Sequence, residues 1–141
     1  MDHIVYLDSS AKELKKILSG EKTMIIRASM GKARPYGKVD EGDTLFFVNI
    51  SSPWRVKAMA DVRDVHNSEK MTAEESVELI KEYQEQLDLS KEEKARYNGK
   101  RYVILIGIDN VRSIVPFSIS DSIHGGLDDW LVVDSIDEVI T

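Results

Sequence analysis

Leu18-Ser19-Gly20-Glu21-Lys22-Thr23-Met24-Ile25-Ile26-Arg27 joins the end of an amphipathic helix to the start of a strand, and the rest of the chain is organised around this joint. Ahead of it, Ser10 and Glu13 have the spacing of a capping box, while Ala11, Leu14, Ile17 and Leu18 recur at helical intervals. That pattern predicts a short helix over 10–19. Gly20 ends it, because a glycine just past the last apolar residue takes the left-handed conformation that lets a following amide satisfy the orphan carbonyls. Lys22 then falls at a tight turn and Arg27 lies five residues along an extended run. Such a run separates them by about 15 to 17 Å, so both reach one ligand only if the ligand is extended or the strand curved. On residue type alone the pair reads equally well as ordinary strand cations whose heads stay in water and whose stems cover apolar neighbours.

Composition sets the outer bounds. The chain has 141 residues, 42% of them apolar and 31% charged, with no cysteine and no repeat. A single domain over 1–141 with its own core is expected. No apolar run approaches the roughly 20 residues that span a bilayer, and no basic segment followed by an apolar one opens the chain, so a cytoplasmic protein is expected. Without cysteine there is neither a disulfide nor a thiolate nucleophile. The net charge of −6 is unevenly placed: residues 22–63 hold eight Lys or Arg against four Asp or Glu, and both ends of the chain are acidic. An acidic chain is a poor indiscriminate binder of nucleic acid, which leaves room for binding only in a focused basic groove. Surplus helical glutamates elsewhere account for the same imbalance.

Along the chain, His3–Leu7 reads as a first strand. Residues 30–38 combine Lys32, Arg34 and Lys38 with Tyr36, Pro35 and two glycines, a loop in which cations flank an aromatic able to stack on a base. A plain connection with Tyr36 packed on the barrel is an equal reading. Gly42-Asp43 turns into Thr44–Ile50, whose Leu45-Phe46-Phe47-Val48 run predicts a strand covered on both faces. After Pro53, alternation over 54–63 puts Val56, Ala58, Ala60 and Val62 inward and Arg55, Lys57 and Arg63 outward. That positive stripe suits a phosphate backbone or, equally, protection of a sheet edge. Trp54 reads as a core or rim anchor. Thr72/Glu75 and Ser90/Glu93 open two further helices, the first a long one with Leu79, Ile80, Tyr83 and Leu87 as its buried stripe. Residues 101–108 form the strongest strand, with Tyr102, Ile104, Ile106 and Ile108 on one face. A bend at Asp109-Asn110, another strand over 111–117, a polar loop with Gly125-Gly126 and a last strand over 130–133 complete the order.

Little recognisable chemistry stands out. His3, His66 and His124 are dispersed and have no ligand spacing, so neither metal nor other cofactor is expected. No phosphate loop, dinucleotide fingerprint or serine elbow is present.

Gly20-x-Lys22 followed by Arg27 resembles the G-x-K-x-x-x-x-R signature of ASCH domains, which belong to the PUA-like superfamily, and the order of elements agrees over most of the chain. The resemblance implies an α+β fold, a PUA-like five- or six-stranded β-barrel with helices packed over its openings. It also implies a module that binds RNA or a modified nucleoside in a basic cleft, with Gly20, Lys22, Arg27, Lys32, Arg34, Tyr36, Arg55 and Lys57 as the candidate set. Some small ASCH proteins are similar to amidohydrolases acting on N4-acetylcytidine. For that alternative the resemblance points to Lys22 and Glu69, while Ile25 stands where those proteins carry a threonine. A third reading is a protein-interaction domain that uses the acidic helical half.

Overall fold

The computed structural model describes residues 1–7, 12–49, 55–120 and 129–141. Six strands form one mixed sheet that curls into a half-barrel, the α+β architecture expected. In chain order they are β1 (Asp2–Leu7), β2 (Met24–Ser29), β3 (Thr44–Asn49), β4 (Arg55–Asn67), β5 (Tyr102–Ser118) and β6 (Trp130–Val133). Across the sheet the order is β2-β5-β4-β3-β1-β6. Only β1 and β3 run parallel, joined by a crossover that contains the first helix. The ends of the sheet are therefore β2 and β6, and the gap between them is the seam of the half-barrel.

Helix α1 (Glu13–Ser19) packs Leu14 and Ile17 into the barrel interior, against Leu45, Phe47, Ala58, Ala60, Ile104 and Ile106. Helices α2 (Ala73–Glu82), α3 (Gln84–Leu87) and α4 (Lys91–Tyr97) cover the outside, where Ile80, Leu87 and Tyr97 meet Met24, Ile26, Val103 and Leu105. The alternation read in β5 holds: Ile104, Ile106 and Ile108 face inward, Val103 and Leu105 outward. The run in β3 is covered on both faces, with Leu45 and Phe47 in the interior and Phe46 and Val48 against Ile4, Val56, Ile119 and Val139. Each fully buried side chain of this size contributes about 1.5 to 3 kcal/mol.

Several expectations are corrected. Helix α1 begins at Glu13, with Lys12 ahead of it in the left-handed region and no side-chain bond from Lys12; Ser10 and Ala11, and with Ser10 the expected capping box, lie outside the described residues. Leu18 is exposed and leaves the stripe. The long helix breaks at Tyr83, which caps α2 and starts α3. The two late strands are one 17-residue strand, in which Asn110 takes a positive φ beside a bulge instead of ending the ladder. Strand β4 lies between β3 and β5 over Val56–Asp61, so Lys57 guards no edge. Both helix caps at Thr72/Glu75 and Ser90/Glu93 form as reciprocal boxes. Ile50, Pro53, Trp54, His124 and the Gly125-Gly126 loop lie outside the described residues.

Candidate nucleic-acid interface

The stretch around Gly20 is locked by short-range physics. Gly20 has φ of 85° and donates its amide to Ile17 O at 3.2 Å, closing α1. Thr23 N then donates to Gln86 O at 2.9 Å, and Lys22 Nζ donates to Leu87 O at 2.6 Å, so the turn is fastened to the C-terminal end of α3. A cation there meets the negative end of the helix. Lys22 is only 2% exposed. Burial pulls its ammonium below its ordinary pKa, Glu13 and Glu93 partly counter that, and Arg27 and Lys16 add to it. Ile25, fully buried in the interior, places no polar group beside it.

Arg27 spans the seam. From β2, at one end of the sheet, its Nη2 donates to Tyr6 O in β1 at 3.0 Å and its Nη1 to Ile26 O at 2.8 Å. Its guanidinium lies 5.5 Å from the ring centre of Trp130 in β6, a cation–π distance. Nε sits 2.9 Å from Asp129 Oδ2, yet its N–H is not directed at that oxygen and makes no hydrogen bond, so the contact is one of charge alone. Burial opposes the guanidinium charge, and Tyr97, Asp129 and Glu13 outweigh that opposition, so its pKa is held above the ordinary value. Trp130 is itself fixed: its Nε1–H donates to His3 Nδ1 at 3.0 Å, and His3 Nε2 faces Asp43 Oδ2 at 2.8 Å. Because an indole only donates, the His3 proton is assigned to Nε2. That bond and the Asp40 amide, working against burial, hold the Asp43 carboxyl below its usual range.

Outside Arg27 a cleft of about 330 Å³ opens. Arg34 and Tyr36 come from the loop after β2, Arg96, Tyr97 and Lys100 from the end of α4 and its exit turn, Tyr102 from β5, and Asp129 from the head of β6. Tyr36 and Tyr102 meet edge to face at 5.5 Å, and the Tyr36 hydroxyl donates to Ser68 O. Lys32 Nζ lies 6.0 Å and 5.7 Å from those two rings, and the Arg96 guanidinium lies 5.9 Å from the Tyr97 ring. Cations and aromatic faces thus share one concavity with a single carboxylate among its described lining residues.

The structure brings together Arg27, Lys32, Arg34 and Tyr36 from the sequence-based set. Gly20 and Lys22 serve the α1–α3 joint. Arg55 and Lys57 are exposed on β4 and do not line the cleft. Glu69 is exposed in a separate groove along α2, lined also by His66, Glu75, Glu78 and Glu82, and Lys22 does not line that groove. Sequence reasoning missed Arg96, Tyr97, Lys100, Tyr102 and Asp129. The first four carried a legible signal, since 96–102 mixes cations and tyrosines as densely as the loop at 30–38. Asp129 carried none, because only the curl of the sheet sets it beside Arg27. Among the described residues no group of three or more His, Asp or Glu is arranged to hold a metal ion, and no helix is long and apolar enough to cross a membrane.

Neither a protein-family model nor a curated protein matches the chain. Solved structures do. The crystal structure of ASCH from Zymomonas mobilis superposes with a TM-score of 0.67 at 14% identity, covering 97% of this chain and 91% of that one. A serine-to-alanine mutant of that protein gives 0.68 at 13% identity over 97% and 91% of the two chains. Its tyrosine-to-phenylalanine mutant gives 0.67 at 13% over 97% and 93%. The chain therefore has an ASCH-like fold, and at this identity the likeness is one of fold alone.

Proposed function

We propose that the chain binds single-stranded RNA or a modified nucleoside, and that one nucleotide unit enters the seam cleft. The observation that carries this reading is the meeting of Arg27, Arg34, Arg96 and Lys100 with Tyr36, Tyr97 and Tyr102 from four separate chain segments. Bases are bound by stacking on aromatic or guanidinium planes, and phosphates by cations placed beside them. A volume of about 330 Å³ suits a single nucleotide unit, not a duplex. Asp129 is the one carboxylate among the described residues that line the cleft, which suits the focused site that the overall acidity requires.

The test is a titration of 15N-labelled protein with a short single-stranded RNA. Amide shifts are expected at residues 27–36 and 96–102. Arg34→Glu together with Lys100→Glu is expected to weaken binding by more than about tenfold, with a shallower dependence on salt. Unchanged affinity in that double variant refutes the assignment.

A further inference from the structure

We propose that Asp129 is a built-in competitor for the anionic group of the ligand, a carboxylate that the phosphate of a nucleotide must displace to reach Arg27. The inference rests on the binding reading above and deepens it. Three observations carry it. Arg27 is 7% exposed and lines the cleft, and its Nε is a buried donor without a hydrogen bond. Among the described residues the anion at that atom is Asp129, whose Oδ2 stands 2.9 Å away in a charge contact that leaves the N–H unused. The Asp129 side chain is 49% exposed. Its main chain, by contrast, is pinned, because Asp129 O accepts Tyr6 N at 3.0 Å.

The side chain can therefore rotate into solvent while the seam stays closed at the backbone. What then replaces it must bring its own charge, since a buried guanidinium left without an anion is strongly disfavoured. A phosphate monoester carries about −1.5 to −2 near neutral pH and three acceptor oxygens, against the single charge of a carboxylate. Arg34 and Lys100 line the same cleft and add to the attraction. A neutral nucleoside supplies no anion, leaves Asp129 in place and gains nothing from Arg27, Arg34 and Lys100 as charges.

The experiment follows the Arg27 Nε–Hε resonance of the full chain during titration with inorganic phosphate, in the wild type and in Asp129→Asn. The amide variant keeps the shape and an acceptor oxygen and removes the charge. Competition lowers the phosphate midpoint by about tenfold in Asp129→Asn, the scale expected for removing a close like charge from an anion site. An equal or higher midpoint in the variant overturns the proposal. The amide spectrum of the same sample reports folding, and Asp129→Ser, which removes the carboxylate differently, must move the midpoint in the same direction. In parallel, uridine 5′-monophosphate is expected to bind the wild type more tightly than uridine; equal affinities also overturn the proposal. RNA binding by the wild type with an unmoved phosphate midpoint sinks the competition alone. A lowered midpoint with no RNA bound by either protein sinks the RNA reading and leaves the competition standing.

Discussion

Two concavities of this molecule differ in kind. The groove along α2 is the larger, about 720 Å³, and is lined by Glu69, Glu75, Glu78 and Glu82 from one short stretch of chain. The seam cleft is under half that size, about 330 Å³, and draws its lining from β2, the following loop, α4, β5 and the head of β6. The groove's acids are where solvated helix faces put them, and Glu75 is already engaged in the cap of α2. In the cleft, a buried arginine is held by a carbonyl, an indole face and a carboxylate from other strands. Size does not mark the better candidate. Convergence of distant segments on a buried charge does, because burying that charge is costly and persists only where surrounding groups compensate it.

Three sets of substitutions test the difference between groove and cleft. The largest effect is expected from Arg27→Met, which strips Tyr6 O and Asp129 of their partner at the seam. A loss of about 1 to 3 kcal/mol in urea unfolding is expected, the scale of removing a hydrogen bond to a buried carbonyl; a loss under about 1 kcal/mol, the range of an exposed pair, would remove Arg27 from the role of staple. The second is alkaline. Since burial lowers the Lys22 pKa in the folded state, the unfolded chain holds that proton more tightly. Stability then rises with pH between the lowered value and the ordinary 10.5. Burial pushes the Tyr6 phenol up to about 12, so its contribution is lost between about 10 and 12 and works in the opposite sense. Unfolding curves of the wild type and Lys22→Met across pH 8 to 10 separate the two, and a wild-type rise that persists in Lys22→Met would refute the assignment to Lys22. The smallest is Glu78→Lys with Glu82→Lys in the α2 groove. If the groove is a bystander, RNA affinity changes by less than about twofold at physiological salt, where charges more than about 8 Å apart are screened. A larger change than that produced by reversal at Arg34 and Lys100 would invert the comparison.

Much of the fold was legible because it depends on neighbours in sequence. Gly20 as a stop, the boxes at Thr72 and Ser90, and the alternation of Ile104, Ile106 and Ile108 are set within a few residues by backbone geometry and side-chain period. The misreadings share one cause. Thr72 to Leu87 has the period of one helix, but Tyr83 breaks it where the chain turns to pack on β2. Helix α1 starts at Glu13, later than its period suggests, at the point where Glu13 enters the buried charge cluster around Lys22. Lys57 of β4 resembles a guard of an edge, and only strand order shows that β4 has a neighbour on each side there.

By itself, then, the sequence determined the elements, their faces, and the resemblance carried by Gly20, Lys22 and Arg27. Tertiary structure decided what those residues do. Lys22, read as a binding cation, closes the end of α3, where its buried ammonium donates to the Leu87 carbonyl that the helix leaves free. Arg27, read as its companion, became the staple of the seam when the curl of the sheet brought Tyr6, Asp129 and Trp130 within reach. Helical and strand periods are local and survive in one dimension. Which charges meet across an open barrel depends on how far six strands twist before their ends approach, and no spacing along the chain encodes that distance.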